Sequence, residues 1–321
     1  MFQKLVNEAK ISCRFRVDGQ LLINSGSGSK IDPTLMDMSF VRSQRKGVAT
    51  VYIPGSSIKG VFRARYEQLM KSILGRDICD IFDRKASSSC TKDIELLILK
   101  ERELERRSSE DSGLSTKVSG TERYSMSCPA CRLFGNLQLG SRIQFSDAFP
   151  SEGCVPKLGQ RHGVGINRIT GAAQPGALFD IEVVEDGTFD FDIRLTNFSI
   201  YQLRLILWII EDIDDGMVTF GMGGSRGNGH LRLYNREEME LQIKMFRCSD
   251  EECSSGSMSG YFPDDKGGPI AYQKGLFGSE AQIEGMSAIL NALDMEEADT
   301  LLRSMQAEND GLKTSLKRES L

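Results

Sequence analysis

The sequence predicts an α+β sandwich of the ferredoxin-like, or RRM-like, type. Residues 11–23 and 188–195 alternate apolar and polar side chains, which is the period of a strand with one buried face. Residues 199–213, and those that follow Ser57, repeat apolar side chains at helical spacing instead. Two helices interleaved with β elements are typical of a helix layer packed on a sheet.

The other elements follow from the same patterns and from turn residues. Residues 31–47 are predicted to form a long loop, and Ser56 or Ser57 to cap the first helix. Residues 157–184 have apolar ends around a turn-prone centre, which predicts a long projecting β-hairpin. The remaining predictions are strands at 48–53 and 141–149, a short charged helix at 95–107, a helix cap at Ser199, a glycine-rich loop before a strand ending near 235, and an amphipathic helix at 285–305.

The charge of the chain is unevenly distributed. The 321 residues carry a net charge of −5, but residues 1–70 hold eleven Lys and Arg against five Asp and Glu. A basic region on an acidic chain is compatible with a polyanion bound on one face, or with a chance imbalance of surface charge. The longest apolar run, residues 203–210, is too short to span a bilayer. We therefore expect a cytoplasmic protein without membrane contacts.

Two glycine-rich stretches each contain a cation. Residues 53–65 read IPGSSIKGVFRAR, and residues 221–229 read GMGGSRGNG. The first lacks the lysine directly after the second glycine that a Walker A loop requires, and the second enters a strand where a dinucleotide fingerprint opens a helix. Backbone N–H groups at glycines, with Lys59 and Arg226 beside them, suit an extended chain of phosphates. The alternative is that both stretches are ordinary turns.

Four of the eight cysteines have a spacing that suggests a metal site. Cys79 and Cys90 precede the pair Cys128 and Cys131 of the CPAC sequence. Four thiolates form a complete tetrahedral zinc set without an open position, so the role of such a site is structural. A redox C-x-x-C pair is the alternative, but the surrounding sequence has no thioredoxin-like βαβ pattern.

The order of these motifs resembles the RAMP superfamily of CRISPR-associated proteins, specifically the backbone subunit of type III effector complexes. The similar stretches are IPGSSIKGVFRAR, LFGN before SRIQFSDAF, GVGINRITGAA, TFDFDIRL and GGSRGNGHLRL, which together cover roughly residues 10–235. The large cysteine-framed insertion looks like that of III-D-like members. The resemblance implies a palm at 1–75 and 134–235, a zinc-bearing insertion at 76–133, a thumb hairpin at 157–187 and a C-terminal extension at 236–321.

The resemblance also implies partners for the chain and contacts with them. Such subunits line up in copies along a CRISPR guide RNA, together with other effector subunits, and pair it with a complementary target RNA in antiviral defence. The thumb displaces a base of the guide–target duplex at regular intervals. The residues implied to contact RNA are Ser56, Ser57, Lys59, Arg63, Asn167, Arg168, Gly223, Gly224, Ser225 and Arg226.

Cleavage of the target RNA is a further implication. In the family an aspartate in the loop after the first strand cuts the target with Mg²⁺ or another divalent ion, and Asp37 matches it better than Asp32. A carboxylate near phosphates costs repulsion unless it holds a cation or a proton, although loop carboxylates are usually just solvated. The alternatives are a non-catalytic RNA-binding scaffold that recruits a separate nuclease, and a stand-alone endoribonuclease that processes precursor RNA.

Overall fold

The computed structural model describes residue 5 and residues 7–25, 38–45, 47–74, 78–83, 88–107, 118–245 and 280–292. Its strands are β1 (Asn7–Asp18), β2 (Arg42–Arg45), β3 (Val48–Val51), β4 (Ile143–Phe145), β5 (Phe149–Pro150), β6 (Lys157–Ile166), β7 (Ala173–Asp186), β8 (Thr188–Thr196), β9 (His230–Leu233), β10 (Glu240–Met245) and β11 (Glu280–Glu284). Its helices are α1 (Gly55–Leu74), α2 (Cys90–Arg107), α3 (Gly120–Ser125), α4 (Pro129–Phe134), α5 (Ile200–Asp214) and α6 (Met286–Ala292). None of the described helices is both long and apolar enough for a membrane span.

The main sheet is antiparallel and has β1 at its centre. The strand order is β11-β10-β1-β8-β4, with β9 also paired to β1 and β5 also paired to β8. The elements β1, α1, β4, β8, α5 and β9 follow one another as β-α-β-β-α-β, the ferredoxin-like arrangement. The mixed α+β architecture expected from the sequence is therefore present.

The core lies between this sheet and the helices α1 and α5. On β1 every second residue from Ala9 to Val17 is buried, because successive side chains of a strand point to opposite faces. On α1 the buried residues Ile58, Phe62 and Tyr66 are four apart and form one face. Arg65 of α1 donates to Asp212 of α5 at 2.8 Å, which joins the two helices.

Several boundaries differ from the sequence predictions. The predicted loop at 31–47 contains β2, which forms a separate two-stranded sheet with β3. The predicted strand at 141–149 is divided into β4 and β5, both paired with β8. The sheet also continues past residue 235, because β10 pairs with β1 from Asn7 to Ser12. Strand pairing between residues more than 200 positions apart leaves no local signal, so periodicity alone could not place β10.

The insertion between α1 and β4 is more helical than the sequence suggested. The helix expected at 95–107 begins earlier, at Cys90. Residues 120–125, in a stretch without a hydrophobic pattern, form α3, whose start is stabilised by a reciprocal capping box between Ser119 and Glu122. The first part of the helix predicted at 285–305 is present as α6. The rest of that prediction lies outside the described residues.

The strands β6 and β7 form an antiparallel hairpin that is attached to the body at its base. Leu21 and Val184 exchange two backbone hydrogen bonds of 2.8 and 2.9 Å. Met38 donates its N–H to the carbonyl of Asp180 at 3.2 Å and accepts from the N–H of Glu182 at 2.9 Å. The base of the hairpin is therefore bound to two segments that follow β1 in the chain.

Candidate nucleic-acid interface and metal centre

The first turn of α1 is the predicted phosphate site. The helix begins at Gly55, so Ser56 and Ser57 lie inside its first turn, and the expectation that either caps it is wrong. The backbone N–H of Gly55 donates instead to the Asp147 carboxylate at 2.7 Å. A side-chain carboxylate of the chain thus occupies part of the anion-binding end of this helix.

Packing explains the glycine of the PGSS sequence. A Cβ atom on Gly55 would lie 2.6 Å from the carbonyl oxygen of Phe145 and 3.0 Å from that of Ser146. The backbone around β4 therefore passes too close for any side chain at this position. A glycine that suggested a close approach to phosphate is required by a close approach to the chain's own backbone.

Lys59 lies one turn further along α1. Its Nζ donates to the hydroxyl of Ser141 at 3.2 Å. Burial, and then the positive charge of Arg63, lowers the pKa of the Lys59 amino group below its usual value. A cation in this situation gains from a nearby anion, because the anion offsets the cost of burying the charge.

Of the eight lysines and arginines in residues 1–70 that the structure describes, six pair with a carboxylate of the chain. On the open face of the sheet, Lys10 pairs with Asp192 at 3.2 Å and Arg14 pairs with Asp190 at 2.8 Å. Among the lysines and arginines that the structure describes in this region, Arg45 and Lys59 lack a carboxylate partner. Among the described residues, the cationic face is therefore smaller than the charge count implied.

The second glycine-rich stretch is hydrogen-bonded to the hairpin. Gly224–Arg226 form a short 3-10 turn, and the N–H of Gly229 donates to the carbonyl of Gln20 at 2.6 Å. Arg161 of β6 donates to the Asn228 side chain at 3.2 Å, and the Arg226 side chain is exposed. Neither Arg161 nor Asn228 was among the predicted contacts: the signal for Arg161 was the basic first half of the hairpin, and the signal for Asn228 was its place in the glycine-rich stretch 221–229.

The tip of the hairpin carries the other two predicted RNA contacts. The Asn167 side chain accepts hydrogen bonds from the N–H groups of Ile169 and Thr170 at 2.8 and 3.2 Å, so it stabilises the turn. Arg168 is exposed, and no hydrogen bond or ion pair of its side chain occurs in the described part of the chain. Ile169 is 95% exposed, which leaves an apolar side chain at the tip.

The predicted catalytic aspartates, Asp37 and Asp32, lie outside the described residues. Met38, the residue after Asp37, is described and is bound to Asp180 and Glu182 at the base of the hairpin. Met38, the first described residue after Asp37, therefore lies at the base of the hairpin.

A charged pair fixes this junction. Glu182 is buried, and its carboxylate accepts hydrogen bonds from Arg42 at 2.8 and 2.5 Å and from the N–H of Phe40 at 2.9 Å. Burial alone would raise the pKa of Glu182, but these hydrogen bonds outweigh burial and lower the pKa. The Glu182 carboxylate thus stays ionised and holds residues 40–42 against β7.

The four predicted metal ligands come together where α2 and α4 begin. The Sγ atoms of Cys79, Cys90, Cys128 and Cys131 all lie within 4.8 Å of one another, and the cysteines are free thiols. The sulfurs of Cys79 and Cys131 are 3.4 Å apart, and those of Cys79 and Cys128 are 3.7 Å apart. Tetrahedral zinc with Zn–S bonds of about 2.3 Å separates its sulfurs by about 3.8 Å. The four thiols could therefore hold a metal ion such as zinc.

Arg63 lies against this cluster. Its Nη2 donates to Cys131 Sγ at 3.5 Å, its Nη1 to the carbonyl of Gly135 at 2.9 Å, and its Nε to Glu67 at 2.7 Å. Its side chain is only 14% exposed. The prediction that Arg63 contacts RNA remains untested, and its donors are already used within the chain.

A comparison with protein families found one match. The model of the RAMP superfamily matches residues 38–232, which is more than half of the chain. The matched range begins one residue after Asp37 and includes α1, the four cysteines, the hairpin and the second glycine-rich stretch. A comparison with curated proteins found no match.

Proposed function

Because the chain belongs to the RAMP superfamily, which is associated with CRISPR-related RNA binding, we propose that it is a guide-RNA-binding backbone subunit of a type III, III-D-like effector complex. In this role copies of the chain line up along the CRISPR RNA, beside other effector subunits, and pair it with target RNA. The family match over residues 38–232 carries the proposal.

The distribution of cations without a carboxylate partner supports RNA binding by this chain. Lys59, Arg168 and Arg226 have no carboxylate partner among the described residues, whereas most cations of the open sheet face do. Phosphates that approach Lys59, with the hydroxyls of Ser56 and Ser57, and the Gly223–Arg226 turn would meet charges that the chain itself does not neutralise. The apolar tip at Ile169 suits a hairpin that wedges between nucleotides.

Cleavage of the target is the second part of the proposal. Asp37, with Asp32 as second choice, would hold Mg²⁺ or another divalent ion and position the 2′-hydroxyl of a target nucleotide for attack on the adjacent phosphorus. The 2′-hydroxyl releases its proton to water, the new O2′–P bond forms as the P–O5′ bond breaks, and O5′ takes a proton from water. A base displaced by the hairpin frees the backbone for in-line geometry. The attachment of Met38 to the hairpin base supports this role, since Met38 directly follows Asp37.

The test is target cleavage by complexes assembled with guide RNA and Mg²⁺. We expect Asp37→Ala to abolish cutting while guide and target binding stay at the wild-type level, and Asp32→Ala, the matched loop variant, to cut normally. Cutting by Asp37→Ala at the wild-type rate would contradict the catalytic role. Binding without any cutting by the wild type would indicate a scaffold that recruits a nuclease, and cutting of precursor repeats by the isolated chain would indicate a processing enzyme.

The four cysteines are proposed to hold a structural zinc ion. All four positions of a tetrahedral site are filled by sulfur, so no position remains for water or substrate. Cys79 and Cys90 lie in the first part of the insertion, and Cys128 and Cys131 lie near its end. One ion bound by these four sulfurs would join the two ends of the insertion to each other.

A further inference from the structure

Arg63 connects α1 directly to the four-cysteine cluster. Its guanidinium touches the sulfur of Cys131, which is fully buried, and the carbonyl of Gly135 directly after α4. The salt bridge with Glu67, one turn later on α1, holds the guanidinium in this orientation. Because the Arg63 side chain is largely buried, water does not readily replace these hydrogen-bond partners.

Asn136, in the turn directly after α4, has its side-chain amide beside the same Cys131 thiol. Its Oδ1 accepts the N–H of Gln138 at 2.8 Å, which fixes the side chain in the turn after α4. Its Nδ2 is buried and has no hydrogen-bond partner among the described residues. A buried amide donor left without a partner costs stability unless an acceptor develops nearby.

A bound metal ion would supply that acceptor indirectly, because it keeps Cys131 as a thiolate, and a thiolate sulfur accepts hydrogen bonds. Four thiolates around one divalent ion carry a net charge of −2, which a buried site tolerates only with hydrogen-bond donors or cations against its sulfurs. Cys90 Sγ already accepts the backbone N–H of Cys128 at 3.1 Å. Among the described side chains, Arg63 is the cation that reaches a sulfur.

We propose that Arg63 and Asn136 form the outer shell of the metal centre by donating to Cys131 Sγ, and that Arg63 thereby ties the centre to α1. The proposal rests on the metal ion proposed above and is independent of the RNA role. It assigns Arg63, expected from the sequence to contact RNA, to the metal centre. Outer-shell donors of this kind fix the orientation of a ligand and slow its dissociation from the metal.

The experiment measures zinc release from the purified full-length chain into a colorimetric chelator. We expect Arg63→Gln to accelerate release by about tenfold or more, the usual effect of losing an outer-shell partner. Asn136→Asp keeps the acceptor for Gln138 but replaces the donor by a carboxylate oxygen, so it should accelerate release as well. Arg65→Gln is the matched control, because Arg65 lies on the same helix but pairs with Asp212. Its release rate should equal that of the wild type.

A spectroscopic readout separates a ligand effect from general loss of stability. In the cobalt(II)-loaded chain, Arg63→Gln and Asn136→Asp should shift the thiolate-to-cobalt charge-transfer band, and Arg65→Gln should not. Wild-type release rates and spectra in both outer-shell variants would overturn the proposal while leaving the metal centre intact. A wild-type chain without bound metal would overturn the metal centre itself. Normal zinc release by Arg63→Gln with weakened guide binding would return Arg63 to RNA contact.

Discussion

Arg42 and Glu182 are 140 positions apart in the sequence and are joined by two hydrogen bonds of 2.8 and 2.5 Å. The same Glu182 carboxylate accepts the N–H of Phe40. One side chain of β7 thus holds both the end of the loop after β1 and the start of β2. Because Met38 is bonded to the same strand, this pair determines how the segment that follows Asp37 meets the hairpin.

Replacement of Glu182 by glutamine should destabilise the protein by about 2 kcal/mol at neutral pH, the range for hydrogen bonds to a charged group. The folded-state pKa of Glu182 is lowered, so its stabilisation is complete above the unfolded-state value of about 4.3 and is lost as pH falls through the folded-state value. Urea unfolding between pH 7 and pH 3 should show the difference between wild type and variant shrinking in acid. Glu185→Gln on the same strand breaks an exposed pair with Lys157 and serves as the control.

Replacement of Lys59 by alanine should weaken guide-RNA binding about equally for all guide sequences, because the ammonium contacts phosphate and not bases. The slope of log affinity against log salt should fall by about 0.7 for one lost phosphate contact on a single strand. Lys71→Ala, in the last turn of the same helix, should leave both quantities unchanged. A guide-dependent loss would contradict the predicted contact.

The lowered pKa of Lys59 adds a pH dependence to this prediction. The Lys59 amino group loses its proton at a lower pH than an ordinary lysine. As the pH is raised, wild-type affinity should therefore begin to fall before pH 10.5 is reached. Lys59→Arg keeps its charge throughout and should remove this fall. Parallel pH profiles of the two proteins would argue against a role for the ammonium.

Metal analysis of the purified chain should find about one zinc, the capacity of one four-thiolate site. Cys128→Ser should lose the metal and lower the melting temperature, because binding free energy is folding free energy in such sites. Cys154→Ser is the matched control, since Cys154 is a free cysteine outside the cluster. Full zinc content and stability in Cys128→Ser would refute the site.

Two glycines of the IPGSSIKG stretch should respond to alanine in opposite directions. Gly55→Ala should destabilise by roughly 1–3 kcal/mol, because its Cβ meets the fixed carbonyls of Phe145 and Ser146. Gly60→Ala should stabilise by roughly 0.5–1 kcal/mol, since nothing lies within 4 Å of its Cβ and alanine favours the helix interior. Thermal unfolding of both variants measures this; equal effects would show that the helix does not pack as described.

Local patterns predicted those parts of the fold that depend on neighbouring residues. The alternation at 188–195 and the apolar spacing of α1 and α5 report burial on one face, and these elements occur close to the expected positions. The loop at 31–47 was misjudged in part, because β2 has no buried face and so no alternation to detect. The cap of α1 was misjudged because its acceptor, Asp147, lies 92 positions away.

The sequence by itself determined the α+β class, the membership in the RAMP superfamily and the identity of the four clustered cysteines, because periodicity and motif spacing act over short stretches of chain. Only the tertiary structure decided which charges remain unneutralised, since Lys10 and Arg14 meet their carboxylates on a strand about 180 residues away. It also decided that Arg63 faces a sulfur. Ion pairs and ligand contacts depend on distances between side chains, and the topology of the sheet sets those distances.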